Sequence, residues 1–326
     1  MSNFGKKVQM VSGKLALVKK AILALNNSLK RCVLCPRRCG ADRLGGSSGY
    51  CRASYNPTVY SYLSHRGEEP PISGTKGSGT IFFSHCNMKC AYCQNYYFSQ
   101  LDKGEETTIE GLADIMMSLE RDGCHNINLV TPTHYIPQIL MSLEIALERG
   151  LKIPIVYNTS GYELAETIRI LEGIVDIYMP DMRYSDNAAA LKYSDAEEYV
   201  KFNRAAVKEM YRQVGDLEMD EARVAKKGLI IRLLVLPNSI SGTNDTLRFI
   251  KKELGNKSYL SIMSQYYPTF KACGLADISR GILTEEYKNV IDEAHLLGLN
   301  NGWIQEAPEE TDPGFLGTNI KPKEGY

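Results

Sequence analysis

Six short apolar or β-branched runs recur along this chain with amphipathic stretches between them, and that alternation limits the fold more than any other feature. The predicted strands are 80–84, 127–130, 153–158, 175–179, 229–235 and 259–264. Helical patterns occupy 108–121, 135–149, 164–171, 197–214 and 245–254, and a last one at 285–297 follows the final strand. Two have start signals: Thr108 stands three residues before Gly111, and Thr284 precedes Glu285 and Glu286. Strands apolar on both faces and joined through helices predict a parallel sheet covered by helices. About six such units in 326 residues suit a partial or complete α/β barrel better than two separate domains. No internal repeat is visible, and residues 308–326 read as an irregular tail.

Just beyond the first predicted strand, Cys86, Cys90 and Cys93 form C-x3-C-x2-C. A cubane [4Fe–4S] cluster normally takes four thiolates, so three from one short loop leave one iron open to another ligand, as a catalytic zinc keeps a position for water. A zinc knuckle or a ferredoxin-like carrier is the alternative, but zinc sites favour paired C-x2-C hairpins that supply all four ligands. In α/β barrels the chemistry sits on the loops at the carboxyl ends of strands, where this triplet falls. Upstream, Cys32, Cys35, Cys39 and Cys51 form C-x2-C-x3-C-x11-C, a closed set of four thiolates for a structural zinc or for a second [4Fe–4S] cluster. Both metals stay open at this point, and Arg37 and Arg38 are placed to offset thiolate charge in either case. Cys124 and Cys273 read as ordinary core thiols.

Seven of the nine cysteines fall between Cys32 and Cys93 at metal-ligand spacings, which argues for metal binding in a reducing compartment rather than for disulfides. No run approaches the roughly 18 apolar residues of a membrane span, and no secretory leader pattern follows the start. The expected location is the cytoplasm. The 38 basic and 38 acidic side chains cancel, yet residues 1–41 hold nine Lys or Arg and no acid. Such a segment fits an acidic partner, nucleic acid or an organellar transit peptide. The favoured reading is a docked surface helix at 14–29, apolar through Leu15, Leu17, Val18, Ile22, Leu23 and Leu25, and nucleic acid is not an expected partner. The organisation is then a basic helix at 1–31, a cysteine-rich metal-binding segment at 32–75, a core barrel at 76–307 and the tail.

The segment FSHCNMKCAYCQN at 83–95 resembles the signature of radical S-adenosylmethionine (SAM) enzymes, C-x3-C-x-aromatic-C, with Tyr92 in the aromatic position. CVLCPRRCGADRLGGSSGYCRA at 32–53, ISGTKGSGTIFFS at 72–84, SIMSQYYP and GWIQE resemble one branch of that superfamily, the pyruvate formate-lyase activating enzyme-like proteins with a cysteine-rich N-terminus. The resemblance spans about residues 30–307. It implies a partial (βα)6 radical SAM barrel, in which SAM chelates the open iron and a reduced cluster cleaves it to methionine and a 5′-deoxyadenosyl radical. It also implies flavodoxin or ferredoxin as electron donor and a protein or peptide substrate. Tyr92 would contact the adenine. Asn158 and Ser160, in the Asn-Thr-Ser-Gly turn, resemble the turn that family members place near the methionine or ribose part. Asp181 with Arg183 resembles the family's D-x-K pair, Arg232 an arginine on the fifth strand of the activases, and Gln265 stands where that group often has histidine.

Two departures bear on the site. The activating enzymes carry G-G-E after the second strand to gather the SAM amino group, whereas this chain reads Val130-Thr131-Pro132-Thr133-His134, so Thr131, Thr133 or backbone carbonyls would take that role. His85 replaces the family's usual glycine before the first cysteine, so a positive φ would be costlier there. Other readings are a radical SAM enzyme acting on a small metabolite, and a non-catalytic iron–sulfur or zinc module whose basic N-terminus binds a partner.

Overall fold

The computed structural model describes residues 3–305, with side chains from residue 13 onward; the tail expected at 308–326 lies outside the described residues. From the N-terminal side the elements run α1 (Asn3–Ala24), β1 (Thr58–His65), α2 (Pro70–Ser73), β2 (Ser78–Phe83), α3 (Tyr96–Ser99), β3 (Glu105–Glu106), α4 (Ile109–Arg121), β4 (Ile127–Val130), α5 (Ile136–Glu148) and β5 (Ile155–Thr159). They continue with α6 (Ala165–Ile170), β6 (Ile177–Pro180), α7 (Asn187–Ser194), α8 (Tyr199–Val214), β7 (Glu218–Met219), β8 (Ala225–Leu234), α9 (Thr243–Glu253), β9 (Tyr259–Met263), α10 (Thr284–Leu296) and β10 (Gly302–Ile304).

One sheet has the order β10-β9-β8-β6-β5-β4-β2-β1-β3, with β7 pairing β8 off that path. All six predicted strands are present, and every residue of β2, β4, β5, β6 and β9 is buried, as strands covered on both faces must be. The expected count of six parallel strands is corrected to seven, because β10 adds in parallel beside β9. Three residues, only two of them with apolar side chains, leave no periodic trace in sequence. β1 also went unpredicted: it is antiparallel to β2, so part of the 32–75 segment belongs to the sheet. Its outer half alternates between half-buried and exposed positions, an edge pattern rather than an apolar run.

Local signals mostly held. Thr108 caps α4 by accepting from the Gly111 N–H at 2.9 Å. At α10 the expected cap is corrected: Thr284 is already helical, and Glu286 reaches back to accept the Leu283 N–H at 2.8 Å. The docked N-terminal helix exists as α1 packed on α5, beginning earlier than predicted and ending before a short 3-10 turn at Asn26–Leu29. Its buried face is Val18 and Ala21, continued by Leu25 just past its end, whereas Leu17 and Leu23 are exposed. Lys14 pairs with Asp176 at 2.5 Å and Lys19 with Glu148 at 2.9 Å, so the basic rim docks onto the molecule's own acids.

The sheet separates two apolar clusters. The helix-facing cluster holds Ile155, Tyr157, Tyr178, Leu229, Ile231, Leu260 and Ile262. The other gathers Val156, Ile177, Met179, Ile230 and Tyr259 from the alternate strand positions around Ile72 of α2, with Trp303 packed against it. Strand periodicity then assigns Asn158, Asp181, Arg232 and Ser261 to this inner face, two residues further along the same strands.

Candidate functional site

The Cys86–Cys93 loop leaves the end of β2 and is fastened from three sides. The N–H of Ser84 bonds the Thr58 carbonyl, that of Lys89 the Ser194 carbonyl and that of Ala91 the Tyr193 carbonyl, while the Ala91 carbonyl accepts from Lys271 and Ala272. His85 does adopt φ +73°, the conformation the sequence made expensive. A non-glycine residue there costs about 1 kcal/mol or somewhat more. Against that stand its backbone bond to the Phe98 carbonyl at 3.0 Å, Nδ1 to the Tyr135 hydroxyl at 3.0 Å and Nε2 to Asp102 at 3.2 Å. At about 1 kcal/mol each, these contacts outweigh the strain.

Each sulfur of the triplet meets one uncharged polar group: the Met88 N–H donates to Cys86 Sγ at 3.4 Å, the Ser194 hydroxyl donates to Cys90 Sγ at 3.1 Å, and the Ser99 hydroxyl, free to donate to a thiolate, lies 3.3 Å from Cys93 Sγ. Burial pushes the Cys86 thiol up to about 12 and the Cys93 thiol up to about 11, so a metal must displace a proton from each. Tyr92 is buried, and burial pushes its phenol up to about 12. Its hydroxyl bonds Tyr184 at 2.7 Å, Tyr184 bonds Ser194 at 2.6 Å, and its ring meets that of Tyr266 edge-on at 5.7 Å.

At the strand ends Asn158, Asp181, Arg183 and Arg232 form one network. Arg232 donates to Asp181 at 2.8 Å and to Asn158 at 2.6 Å, and Arg183 donates to the other Asp181 oxygen. The turn after β5 is clamped by Tyr199, which donates to the Ser160 carbonyl at 2.8 Å, and by Asn203, which donates to the Gly161 carbonyl at 3.2 Å and to the Asp181 carbonyl at 2.9 Å. Gly161 has φ +74°, and an added Cβ would lie 2.4 Å from the Asp181 carbonyl oxygen, so glycine is required there. The buried Ser160 hydroxyl and the Arg183 Nε have no partner among the described residues. Such orphans beside a half-buried thiol loop fit a polar cofactor with carboxylate and hydroxyl groups. Gln265 stands apart from this network, its carbonyl accepting from Gln94, next to Cys93, at 3.1 Å. The Thr133 hydroxyl donates to Glu163 at 2.6 Å, and Thr131 takes φ +58° with its N–H on the Asn158 carbonyl.

The 32–53 segment packs against this loop. Arg43, not Arg37 or Arg38, serves the thiols: its Nη2 lies 3.4 Å from Cys32 Sγ and 3.6 Å from Cys51 Sγ. Arg37 instead donates to the Asn87 carbonyl at 3.0 Å and stacks 3.7 Å over Tyr50, while Arg38 pairs with Glu166 at 2.8 Å. The other end of the Arg43 guanidinium donates to the His134 carbonyl. Burial drops the His134 pKa to about 3, so the ring is neutral and its Nε2 donates to the Ser84 carbonyl at 2.8 Å. Burial raises the Cys35 thiol to about 12. Burial acts the same way on Cys39, but backbone donors from Ala41 and Tyr50 and the Arg43 charge bring it below the usual thiol value. Among the described residues no three His, Cys, Asp or Glu side chains are arranged to hold a single metal ion. A cubane, by contrast, spreads its ligands over separate irons.

Sequence reasoning missed Arg43, Ser99 and Ser194. Ser194 acquires its role from a cysteine 104 positions away, and Arg43 and Ser99, although near their cysteines in the chain, are aimed at them by the fold of their loops.

A family model described as the radical SAM superfamily matches residues 80–212. The chain is 31% identical over 289 residues to the uncharacterized protein MJ0674 of Methanocaldococcus jannaschii, covering 84% of this chain and 77% of that one. A second protein of that organism, the uncharacterized protein MJ0808, is 25% identical over 272 residues, covering 76% and 73%. Among solved structures, the FeFe-hydrogenase maturase HydG from Carboxydothermus hydrogenoformans is similar with a TM-score of 0.46 at 13% identity. The match covers 72% of this chain but only about half of that one, 54%.

Proposed function

The chain belongs to the radical SAM superfamily, and on that premise we propose that Cys86, Cys90 and Cys93 ligate a [4Fe–4S] cluster at which SAM is bound and cleaved. The observation that carries this reading is one loop at a strand's carboxyl end presenting three thiols, each with its own hydrogen-bond donor, beside unpartnered polar groups. When bound and reduced, the cluster supplies the electron that splits SAM into methionine and a 5′-deoxyadenosyl radical able to take hydrogen from a substrate. The chain's own residues bind and orient. The Arg232–Asp181–Arg183 network offers fixed charge for the methionine end of SAM, and the Ser160 hydroxyl and Asn158 offer hydrogen bonds for its polar groups. Tyr92, between Tyr184 and Tyr266, stiffens the loop and packs toward the adenine. Gln265 lines the same mouth on the β9 side. Donors to the sulfurs favour the more reduced cluster.

The substrate we propose is a protein or peptide segment, by the resemblance of residues 72–84 and 261–268 to the glycyl-radical-activating branch, with flavodoxin or ferredoxin as the donor and the cytoplasm as the location. No helix among the described residues is long and apolar enough to cross a membrane. For Cys32, Cys35, Cys39 and Cys51 the reading is a second [4Fe–4S] cluster, with structural zinc as the alternative. The link from Cys51 through Arg43 and His134 to Ser84, two residues before Cys86, supports electron passage between the groups. A second reading of the substrate, a small amine-bearing molecule, is favoured by buried charge on the inner face of the sheet.

The test is anaerobic reconstitution with iron and sulfide, addition of SAM and dithionite, and measurement of 5′-deoxyadenosine. Wild type should produce it and Cys90→Ala should not. A cluster-loaded wild type that makes none, even with candidate substrates, would leave a non-catalytic iron–sulfur module.

A further inference from the structure

The connection between β1 and β2 folds inward. Ile72 is fully buried among inner-face side chains of β5, β6, β8 and β9, and the two residues before α2 are Glu68 and Glu69. Glu68 accepts from Asn128 Nδ2 at 3.0 Å on β4, and its second oxygen lies 3.8 Å from Arg232 on β8. The side chain is only 9% exposed, and Glu69 as a residue is 3% exposed.

Two features of this cluster point to a missing positive group. The first is charge: Asp181 pairs with both Arg183 and Arg232, Glu68 lies beside Arg232, and Glu69 acts on Arg232 from farther away, three carboxyls against two guanidiniums, all largely removed from water. A buried charge without a counter-charge is strongly disfavoured. Burial first, and then the neighbouring Glu69, push the Glu68 carboxyl up to about 7, in keeping with a surplus of negative charge. The second is hydrogen bonding. Among the described residues Glu69 Oε2 and Asn128 Oδ1 are buried without partners, and the fully buried Ser261 hydroxyl, beside Arg232 in the β8–β9 register, is unpartnered too. Asn128 already donates to Glu68, so its free atom is an acceptor. The two orphans of Glu69 and Asn128 therefore ask for N–H donors.

We propose that Glu68 and Glu69, with Asn128, form a recognition site on the inner face of the barrel for a cationic amine of the substrate, an ammonium carried by a free small molecule or by a lysine side chain. Asn128 is in register with Thr80, three residues before the end of β2, so it lies about 10 Å below the strand end at which the cysteine loop begins. A substrate whose ammonium sits at this depth presents its next few carbons toward the mouth. The inference deepens the substrate class of the radical SAM reading and rests on that reading.

The experiment is calorimetric titration of the anaerobically reconstituted protein with n-butylamine, L-lysine and the tripeptide Gly-Lys-Gly, against n-butanol and norleucine as neutral-ended controls, with and without saturating SAM. The expected result is amine binding at least about tenfold tighter than the matched control, weakened at least about tenfold in Glu69→Gln and unaffected by SAM. L-lysine binding above Gly-Lys-Gly would identify a free small molecule, and the reverse a peptide side chain. Equal affinity for amine and control would overturn the proposal, and this wild-type comparison decides it even if the variant fails to fold. Competition with SAM would assign the carboxylates to the SAM ammonium and overturn the substrate assignment. Formation of 5′-deoxyadenosine is measured on the same preparation. Amine preference without SAM cleavage would remove the radical reading alone, and cleavage without amine preference would remove this inference alone.

Discussion

The two cysteine groups use the same side chain and handle its charge in different ways. Cys32 and Cys51 share a buried guanidinium, that of Arg43, which also ties their segment to the His134 carbonyl. Cys86, Cys90 and Cys93 instead receive one uncharged donor each, from a backbone amide and two serines. A nearby full charge stabilises thiolate and any oxidised or reduced centre far more than a hydroxyl dipole does. The first group is thus built to hold its charge in place. The second is served by dipoles in contact, with the charges of Lys89 and Arg183 acting on Cys86 and Cys93 from farther away.

The largest test of this difference is the metal content of single variants. Cys51→Ala should lose the metal of the first group and keep that of the second, and Cys90→Ala should do the reverse, read as iron, zinc and labile sulfide per chain. Emptying of both by either variant would make them one assembly and dissolve the comparison.

Next in size is a pH effect seated behind the first group. Glu163 is fully buried, accepts from Thr133, Thr159 and Tyr157, and adds to the burial that raises Cys35. Burial pushes its own carboxyl up to about 7 from 4.5. Between those values the folded state binds more protons than the unfolded one, so this group's stabilisation is greatest below about pH 4.5 and declines as pH rises through 7. The span corresponds to about 3 kcal/mol. Denaturant melts of wild type and Glu163→Gln from pH 5 to 8 should show the variant gaining relative stability as pH rises. A constant difference between the two curves would show that Glu163 stays charged or stays neutral throughout.

The smallest effect concerns Arg43. Replacing it in Arg43→Met removes charge from the first group and leaves the His134 carbonyl short of a donor. Metal affinity there should fall by about 10- to 100-fold, as for other supporting contacts, measured by chelator competition, with the Cys86–Cys93 loop retaining its iron. Equal losses at both groups would mean that Arg43 supports the shared packing rather than the thiolates.

What was legible in the sequence follows from how local each signal is. Ile127–Val130 was predicted to the residue because an apolar run between turns is enough to mark a buried strand. α7 was missed because Asn187–Ser194 carries almost no amphipathic pattern, although Asp186 caps it by accepting the Ala189 N–H at 2.8 Å. Arg37 and Arg38 looked like partners of the thiols because they are adjacent in sequence, yet the backbone turns them toward Asn87 and Glu166. Arg43 took the role from farther along the same loop.

By itself the sequence determined the parallel α/β architecture, the spacing of both cysteine groups and the strand-end positions of Asn158, Asp181 and Arg232, since all three depend on residues close together in the chain. Only the tertiary structure decided that Glu68 meets an arginine 164 positions away, that Ser194 serves Cys90, and that Glu68, Glu69 and Asp181 gather about Arg232. Charge and hydrogen bonding act through space over a few ångströms, and the curl of the sheet sets which distant residues come within that range.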